Sequence, residues 1–399
     1  MTARTGNDWR QPPPLPEGHW VSGQVYTDSG VYEDERREVF GRTWRLACHE
    51  SELPEPFDYR TFEHAGQQLF AIRGPDNTVR CFLNACSHRG AQLLNEPAGN
   101  ARQITCFYHL WAYDAFGSCL KIPRPVGYEG AELDKDNLGL RALRTETHLG
   151  LVFVNLDDDA PPLAGFLSGA LAPFEEILGT VPLEVFHYSR TVLECNWKAW
   201  QETNMDIYHE YMHVVLRRTQ VNAMPMSERR LKLYGNGHGG SAGLKAAYDG
   251  YSGFAGRGGE VAPLPGTTPT DFRFSVLFPA SVVVSRGTCV RIDNVTPLSE
   301  HRTLLEMRGL GVRGEPAEDR RLRERHHNQY WGPFGRNVPE DMFAAEACGR
   351  SFGGATAAHQ LIARDEGLTG QDDGILRAFY REWSARTGRS CGDPLGSVP

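Results

Sequence analysis

Residues 196–213 read NWKAWQETNMDIYHEYMH and place Glu202, Asp206, His209 and His213 at steps of four, three and four. On an α-helix of 3.6 residues per turn these four side chains fall in one stripe. Trp197, Trp200, Met205, Ile207, Tyr208, Tyr211 and Met212 make the same segment too apolar for a solvated surface helix, which is the alternative reading. Two carboxylates and two imidazoles turned towards a core need compensation, because unpaired polar groups are costly away from water. A divalent metal supplies it economically. Two histidines one turn apart can aim their ring nitrogens at one ion while a neighbouring carboxylate fixes a ring through its other N–H.

Upstream lies a second constellation, Cys86-x-His88 and Cys106-x-x-His109, with seventeen residues between its two halves. Each half offers one thiolate and one imidazole from a short loop among strand-like segments. That set suits a zinc ion or a [2Fe–2S] cluster with two cysteines on one iron and two histidines on the other. A zinc finger would group its cysteines and carry its histidines on a helix, whereas here each loop carries one of each.

Around these loops, residues 57–156 shift towards a period of two, and the turn GPDN at 74–77 separates QQLFAIRG from TVRCFLNAC. Alternation broken by such turns predicts a small antiparallel β-domain of hairpins. It closes at the acidic, proline-containing linker that follows the apolar residues 149–156. Residues 1–20 predict a Pro-rich extended arm, and residues 31–48 an amphipathic helix leading into a strand. Beyond 196–213, residues 217–270 are rich in Gly, Ser, Arg and Pro and read as a long lid loop near the site, or as a disordered insertion. The segments FRFSVLFP, ASVVVSR, TCVRIDNVTP and HRTLLEMRGLG predict an antiparallel meander. Helices close the chain: a charged, surface-like one at 315–325, an amphipathic one at 340–350 and an aromatic one at 375–387. The fold class is α+β, with residues 1–40 as an arm and helix packing on the catalytic domain, 41–157 as the small β-domain, and 158–399 as a twisted antiparallel sheet covered by helices.

Composition limits the partners. The 399 residues carry 42 basic and 50 acidic side chains, a net charge of −8, which offers no footprint for nucleic acid or an anionic membrane. No run reaches the length of a membrane span, no basic and apolar leader opens the sequence, and nine scattered cysteines read as reduced thiols. The expected location is cytoplasmic.

The two cysteine–histidine loops, with LWAYDAFG after the second, resemble the Rieske motif, although Leu110 stands where most members have Gly. The whole chain, from DERREVF at 34–40 to FYREW at 379–383, resembles the catalytic α-subunit of Rieske non-haem iron ring-hydroxylating oxygenases. That resemblance implies a Rieske [2Fe–2S] cluster on Cys86, His88, Cys106 and His109, and a helix-grip-like catalytic domain. It also implies a mononuclear Fe(II) on His209 and His213, matched through Asn196, Trp197, Lys198 and Asp206. The third iron ligand expected is Asp341, in WGPFGRNVPEDMF, with Glu340 and Asp365 as competitors. Three residues separate His209 from His213 where most members have four, which a straight helix accommodates easily. Asp206 is expected to bridge His209 to a cluster histidine, His109, of the adjacent subunit.

The implied enzyme is a terminal oxygenase using dioxygen and NAD(P)H-derived electrons to dihydroxylate or mono-oxygenate an aromatic or similar hydrophobic substrate. The alternatives are a mono-oxygenase of a small anion such as a sulfonate, and an electron carrier without oxygenation chemistry of its own. The implied partners are a reductase or ferredoxin, a small β-subunit, and further copies in a homotrimer or α3β3 assembly. No GxGxxG followed by a βαβ unit is present, so the nicotinamide site is expected on another protein. Arg217 and Arg218, just past His213, are candidates for holding a substrate carboxylate or sulfonate, or simply a solvated pair at a helix end.

Overall fold

The computed structural model describes residues 9–128, 135–213, 222–247, 261–333, 335 and 337–396. The chain forms two compact units: Phe40–Leu163, and the residues up to Val39 together with those from Ala164 onward.

In the smaller unit, hairpin chemistry dominates. The GPDN turn closes with Gly74 N–H on the Thr78 carbonyl and Asn77 in the left-handed region, a conformation Asn tolerates. It joins Gln67–Arg73 to Val79–Leu83 inside a seven-stranded antiparallel sheet that runs from Arg45–His49 at one edge to Ala98–Asn100 at the other. A three-stranded sheet of Ile104–Thr105, Ala112–Tyr113 and Cys119–Lys121 sits apart from it. Phe70, Phe82, Ile104, Trp111 and Tyr113 form a core that includes Cys86 and Cys106, so both cysteine loops are anchored in packed apolar side chains.

The larger unit is built on an eight-stranded antiparallel sheet. Leu183–Leu193 forms one edge, and Arg302–Val312, Val290–Ser299, Ser281–Ser285, Asp271–Leu277 and Gly239–Ala247 follow in that order. The strand at Gly239–Ala247 corrects the loop reading of residues 217–270 where the chain is described. Its glycines allow close packing: a Cβ on Gly239 would meet Ile375 at 2.5 Å, and one on Gly240 the Phe274 carbonyl at 2.5 Å. Arg217 and Arg218, with residues 219–221 and 248–260 of that anticipated lid, lie outside the described residues. The expected helix at 315–325 extends over Ala317–Trp331 and is not a surface helix, since Arg323, His326, His327, Tyr330 and Trp331 are all buried. Arg323 tolerates burial because Glu315 accepts from its Nε and Nη2.

The 196–213 stripe is not one continuous α-helix. Asn196 caps Trp197–Thr203 by accepting from Lys198 N–H, and the helix then stops at Asn204. Asn204 Nδ2 donates to the Trp200 carbonyl, the acceptor its own backbone N–H would use in the next turn. After Asp206 the chain restarts as a 3₁₀ turn, Ile207–Met212, with His213 extended beyond it. The break sends Glu202 elsewhere. Its buried carboxylate accepts from the hydroxyls of Tyr26, at 2.5 Å, and Tyr380, tying the N-terminal and C-terminal helices together, and burial raises its pKa.

Candidate metal centres and substrate cavity

The three residues expected to share one ion converge despite the broken helix. His209, His213 and Asp341 bring one ligand atom each within 4.8 Å of one another. Asp341 Oδ1 lies 3.3 Å from Nε2 of His209 and 3.3 Å from Nε2 of His213, and it accepts no hydrogen bond among the described residues. Asp341 reaches this point from the first turn of Val338–Gly353, where Pro339 is accommodated because its missing N–H falls among the unpaired ones. Each imidazole is held from behind. His213 Nδ1 lies 2.7 Å from Glu340 Oε2, and His209 Nδ1 meets the main-chain carbonyl of Asp206. A proton on each Nδ1 leaves both Nε2 lone pairs facing Asp341, the arrangement a metal requires. Glu340, weighed as a ligand, lies instead behind the His213 ring. Asp365 is well exposed, 3.9 Å from Arg377.

Electrostatics agree with this geometry. Burial alone would lower the His209 pKa, yet the neighbouring Asp341 outweighs it and pushes it up to about 9. That is the signature of an electronegative point, which a cation would occupy while needing the ring neutral. Asp206 departs from expectation in one respect: its main-chain oxygen, not its carboxylate, faces His209. The carboxylate Oδ1 is buried without a hydrogen-bond partner among the described residues, and burial pushes its pKa up to about 6.

The cysteine–histidine loops are built alike. Cys86 N–H donates to Ala91 and Cys86 C=O accepts from Gly90; Cys106 N–H donates to Trp111 and Cys106 C=O accepts from Leu110. Gly90 and Leu110 hold equivalent left-handed positions, φ 69° and 60°, so the leucine adopts the glycine conformation without changing the loop. The rings of His88 and His109 lie 4.6 Å apart, and His88 stacks on Trp111 at 4.9 Å. Both sulfurs are buried, and His88 Nδ1 is buried without a hydrogen-bond partner among the described residues. An orphaned ring nitrogen beside two buried thiols fits a two-iron cluster, whose ligands need not converge on one point. Tyr113 Oη, 3.2 Å from Cys86 Sγ, adds a polar contact of the kind that tunes cluster potential.

In front of the histidine–aspartate triad lies a cavity of about 130 Å³, lined by Ile207, Phe272, Phe274, Val282, Val284 and Trp331 among others. It also carries Arg229, Arg286 and Arg291. Sequence reasoning passed over Arg286 and Arg291 and chose Arg217 and Arg218 for their nearness to His213. The available signal was the alternation in SVVVSRGTCVRI, which puts Arg286 in phase with Val282 and Val284.

Fold and site together define a protein with two candidate metal centres, one on paired cysteine–histidine loops and one beside an internal cavity. Comparison with known proteins agrees. A model of the Rieske [2Fe-2S] domain matches residues 43–134, and one of the ring hydroxylating alpha subunit catalytic domain matches residues 182–388. The chain is 42% identical to the 2-aminobenzenesulfonate 2,3-dioxygenase subunit alpha of Alcaligenes sp., across 96% of this chain and 97% of that relative. It is 35% identical to the methanesulfonate monooxygenase hydroxylase subunit alpha of Methylosulfonomonas methylovora, across 99% of this chain and 97% of that one. Naphthalene 1,2-dioxygenase from Rhodococcus sp. bound to indole shares the fold, with a TM-score of 0.80 at 21% identity over 92% of this chain and 94% of its own.

The chain belongs to the family of ring-hydroxylating Rieske oxygenase alpha subunits. It is the terminal oxygenase component, with a Rieske [2Fe–2S] cluster and a mononuclear iron, and such subunits act with a reductase or ferredoxin on a small-molecule substrate. No helix among the described residues is long and apolar enough to cross a membrane.

Proposed function

We propose that His209, His213 and Asp341 hold the mononuclear iron, that Cys86, His88, Cys106 and His109 hold the cluster, and that the substrate is an organic sulfonate. The observation that carries the iron assignment is Asp341 Oδ1 at 3.3 Å from both Nε2 atoms. The two nearly full-length relatives, named for aminobenzenesulfonate and methanesulfonate, support the substrate class.

When bound, the cluster supplies single electrons at a potential raised by its two histidines, and a ferrous ion on a two-histidine, one-carboxylate face supplies open positions for dioxygen chemistry. The chain's own residues do the rest. Glu340 and the Asp206 carbonyl hold the rings of His213 and His209 with Nε2 forward, and Phe272, Phe274, Val282 and Val284 give the substrate's carbon body a dry surface. The buried Asp206 carboxylate is the acceptor we assign to the partner subunit's His109, in a homotrimer or, with a small β-subunit, an α3β3 assembly. Electrons reach it from a separate reductase, directly or through a ferredoxin, in the cytoplasm.

Metal analysis tests the assignment. The intact protein is expected to hold about three irons and about two acid-labile sulfides per chain, one [2Fe–2S] cluster plus one ion. Asp341→Ala should lose only the mononuclear iron and all turnover while keeping the Rieske visible spectrum. Retention of that iron in Asp341→Ala would move the third ligand to Glu340 or Asp365.

A further inference from the structure

The turn that carries His209 and His213 is too short to fix two side chains by its own backbone. Ile207–Met212 is a 3₁₀ segment, closed at its end by the His213 N–H on the Glu210 carbonyl at 3.1 Å. Hydrogen-bond geometry in such a turn is poorer than in an α-helix. The turn therefore relies on what its side chains reach.

Two side chains hold it, one on each side of His209. Glu210 accepts from both ends of the Arg229 guanidinium, Nη1 at 2.7 Å and Nη2 at 2.9 Å, and Tyr208 Oη donates to Asp373 Oδ1 at 3.1 Å. Tyr211, by contrast, is 65% exposed. A charged, planar pair with two parallel bonds fixes orientation as well as distance. Arg229 is itself held. It is 6% exposed, its Nε donates to the Met224 carbonyl at 2.9 Å, and its backbone N–H donates to the Met226 carbonyl at 3.2 Å. Gly370 closes over it: its N–H donates to the same Met226 carbonyl at 3.0 Å, and a Cβ there would stand 3.0 Å from Arg229 Cδ. Leu231 N–H donates to the Leu368 carbonyl at 2.8 Å, and Asp373 Oδ2 accepts from Arg364 N–H at 2.9 Å. Both holds on the turn thus end on one block, residues 224–231 joined to 364–373.

We propose that Arg229 is a positioning residue for the mononuclear iron: by gripping Glu210 it keeps His209 and His213 at the separation at which both Nε2 atoms face Asp341. The inference rests on the iron assignment above. Ligands already held in place give up little freedom when the ion arrives, so a fixed turn binds ferrous ion more tightly than a loose one.

The test is the affinity for ferrous ion of the full chain with its cluster in place and its mononuclear ion removed. It is measured anaerobically against a competing chelator, well below the melting transition. The informative variant removes both partners, Glu210→Met with Arg229→Met. It leaves the net charge near the ion unchanged, so affinity reports geometry, and it strands no buried charge, so melting should stay close to wild type. Ferrous ion should bind it on the order of 10- to 100-fold more weakly, the range for losing a group that orients a metal ligand. Arg229→Lys, which keeps the charge but not the fork, should fall between that variant and wild type. The proposal is overturned if the double variant, or Arg229→Lys should the double variant not fold, binds ferrous ion as tightly as wild type. It is also overturned if affinity tracks melting temperature, falling in Arg229→Met alone and returning in the double variant, since the pair is then structural only. Asp341→Ala separates this inference from the iron assignment. Wild-type ferrous affinity in Asp341→Ala refutes the assignment, whereas loss of the ion there beside an unaffected double variant refutes only the part given to Arg229.

Discussion

Replacing Glu35 by glutamine should unfasten the catalytic unit at a point far along the chain from its metal residues. Glu35 is 1% exposed and Lys198, in the capped turn that starts the Trp197–Thr203 helix, is 0% exposed. Glu35 Oε1 accepts from Lys198 Nζ at 2.6 Å and from Trp383 Nε1 at 2.7 Å, and Oε2 accepts from Trp197 Nε1 at 2.8 Å. One carboxylate therefore joins the N-terminal helical segment, the helix leading to the histidines and the C-terminal helix. Glutamine keeps the shape but offers a single acceptor oxygen, turns an N–H₂ towards an indole donor, and leaves the Lys198 charge without its counter-ion.

The size of the effect follows from how Lys198 can respond. Breaking a buried ion pair from one side costs about 3–5 kcal/mol. Burial already pulls the Lys198 pKa down against the attraction of Glu35, so the lone lysine can instead enter the fold neutral. Stripping the proton from an ordinary lysine costs about 4.6 kcal/mol at pH 7 and about 1.9 kcal/mol at pH 9, which caps the loss. Calorimetry should therefore show the transition of the catalytic unit lowered by roughly 10 °C in Glu35→Gln at pH 7, and by about half of that at pH 9. The visible absorbance of the cluster, whose cysteines lie in the other unit, should persist below that transition. Lys198→Met in the same background should restore most of the loss, because it removes the stranded charge. A single variant melting within about 1 °C of wild type, or a penalty that does not shrink at pH 9, would refute the reasoning.

Acid should weaken the same unit through His238, whose Nδ1 accepts from Phe278 N–H and whose Nε2–H donates to the Phe166 carbonyl, a pairing only the neutral ring can make. Burial lowers its pKa to about 4, so the unfolded chain takes the proton first: stability is full above about pH 6.5 and falls by about 3 kcal/mol as pH drops to 4. His326 and His327, pushed down to about 3 by burial, add to the slope. Urea titrations across pH 7 to 4 should show a shallower decline in His238→Gln, and an unchanged slope would count against it. Leu110→Gly should raise the melting of the cluster unit by roughly 2–5 °C, since relief of a left-handed leucine, about 1–2 kcal/mol, exceeds the entropy glycine adds. Leu110 is 57% exposed, so little packing is lost, and a fall in melting would contradict this. Asp206→Asn should keep both iron centres yet slow single-turnover oxidation of the cluster. Loss of the mononuclear iron, with the loaded fraction oxidising at the wild-type rate, would leave Asp206 only an orienting part.

Which features could be read in the sequence depended on whether the chemistry was local. The cysteine–histidine loops were readable because each proposed ligand pair sits on one short turn, and a loop of that length closes in much the same way in any β-domain. His209 and His213 were readable for a weaker reason. Their spacing brings them together on a 3₁₀ turn as it would on an α-helix, so the two rings still meet beside Asp341 even though the predicted helix breaks at Asn204. Glu202 did not survive the break, because whether a carboxylate serves an ion or two tyrosines depends on which distant helix arrives beside it, here those carrying Tyr26 and Tyr380. The charged 315–325 segment misled for the same cause. Arg323 becomes a core residue only once Glu315 folds back on it.

The arginines show the limit most clearly. Arg217 and Arg218 were attractive because they follow His213 directly, but nearness along the chain places a side chain only within about one helical turn. Arg286 lies more than seventy residues from His213 and reaches the same cavity through register. Two pairing steps, Phe274 against Val284 and Val284 against Arg291, decide that the even-numbered side chains of 282–286 face inward. A slip of one residue in either ladder would turn Val283 and Ser285 to the cavity and carry the Arg286 guanidinium to the opposite face. The placement of Arg286 and Arg291 at the cavity is thus a property of strand register, and a substitution that shifts this hairpin by one residue should carry both guanidinium groups away from it while leaving every cavity residue in the sequence.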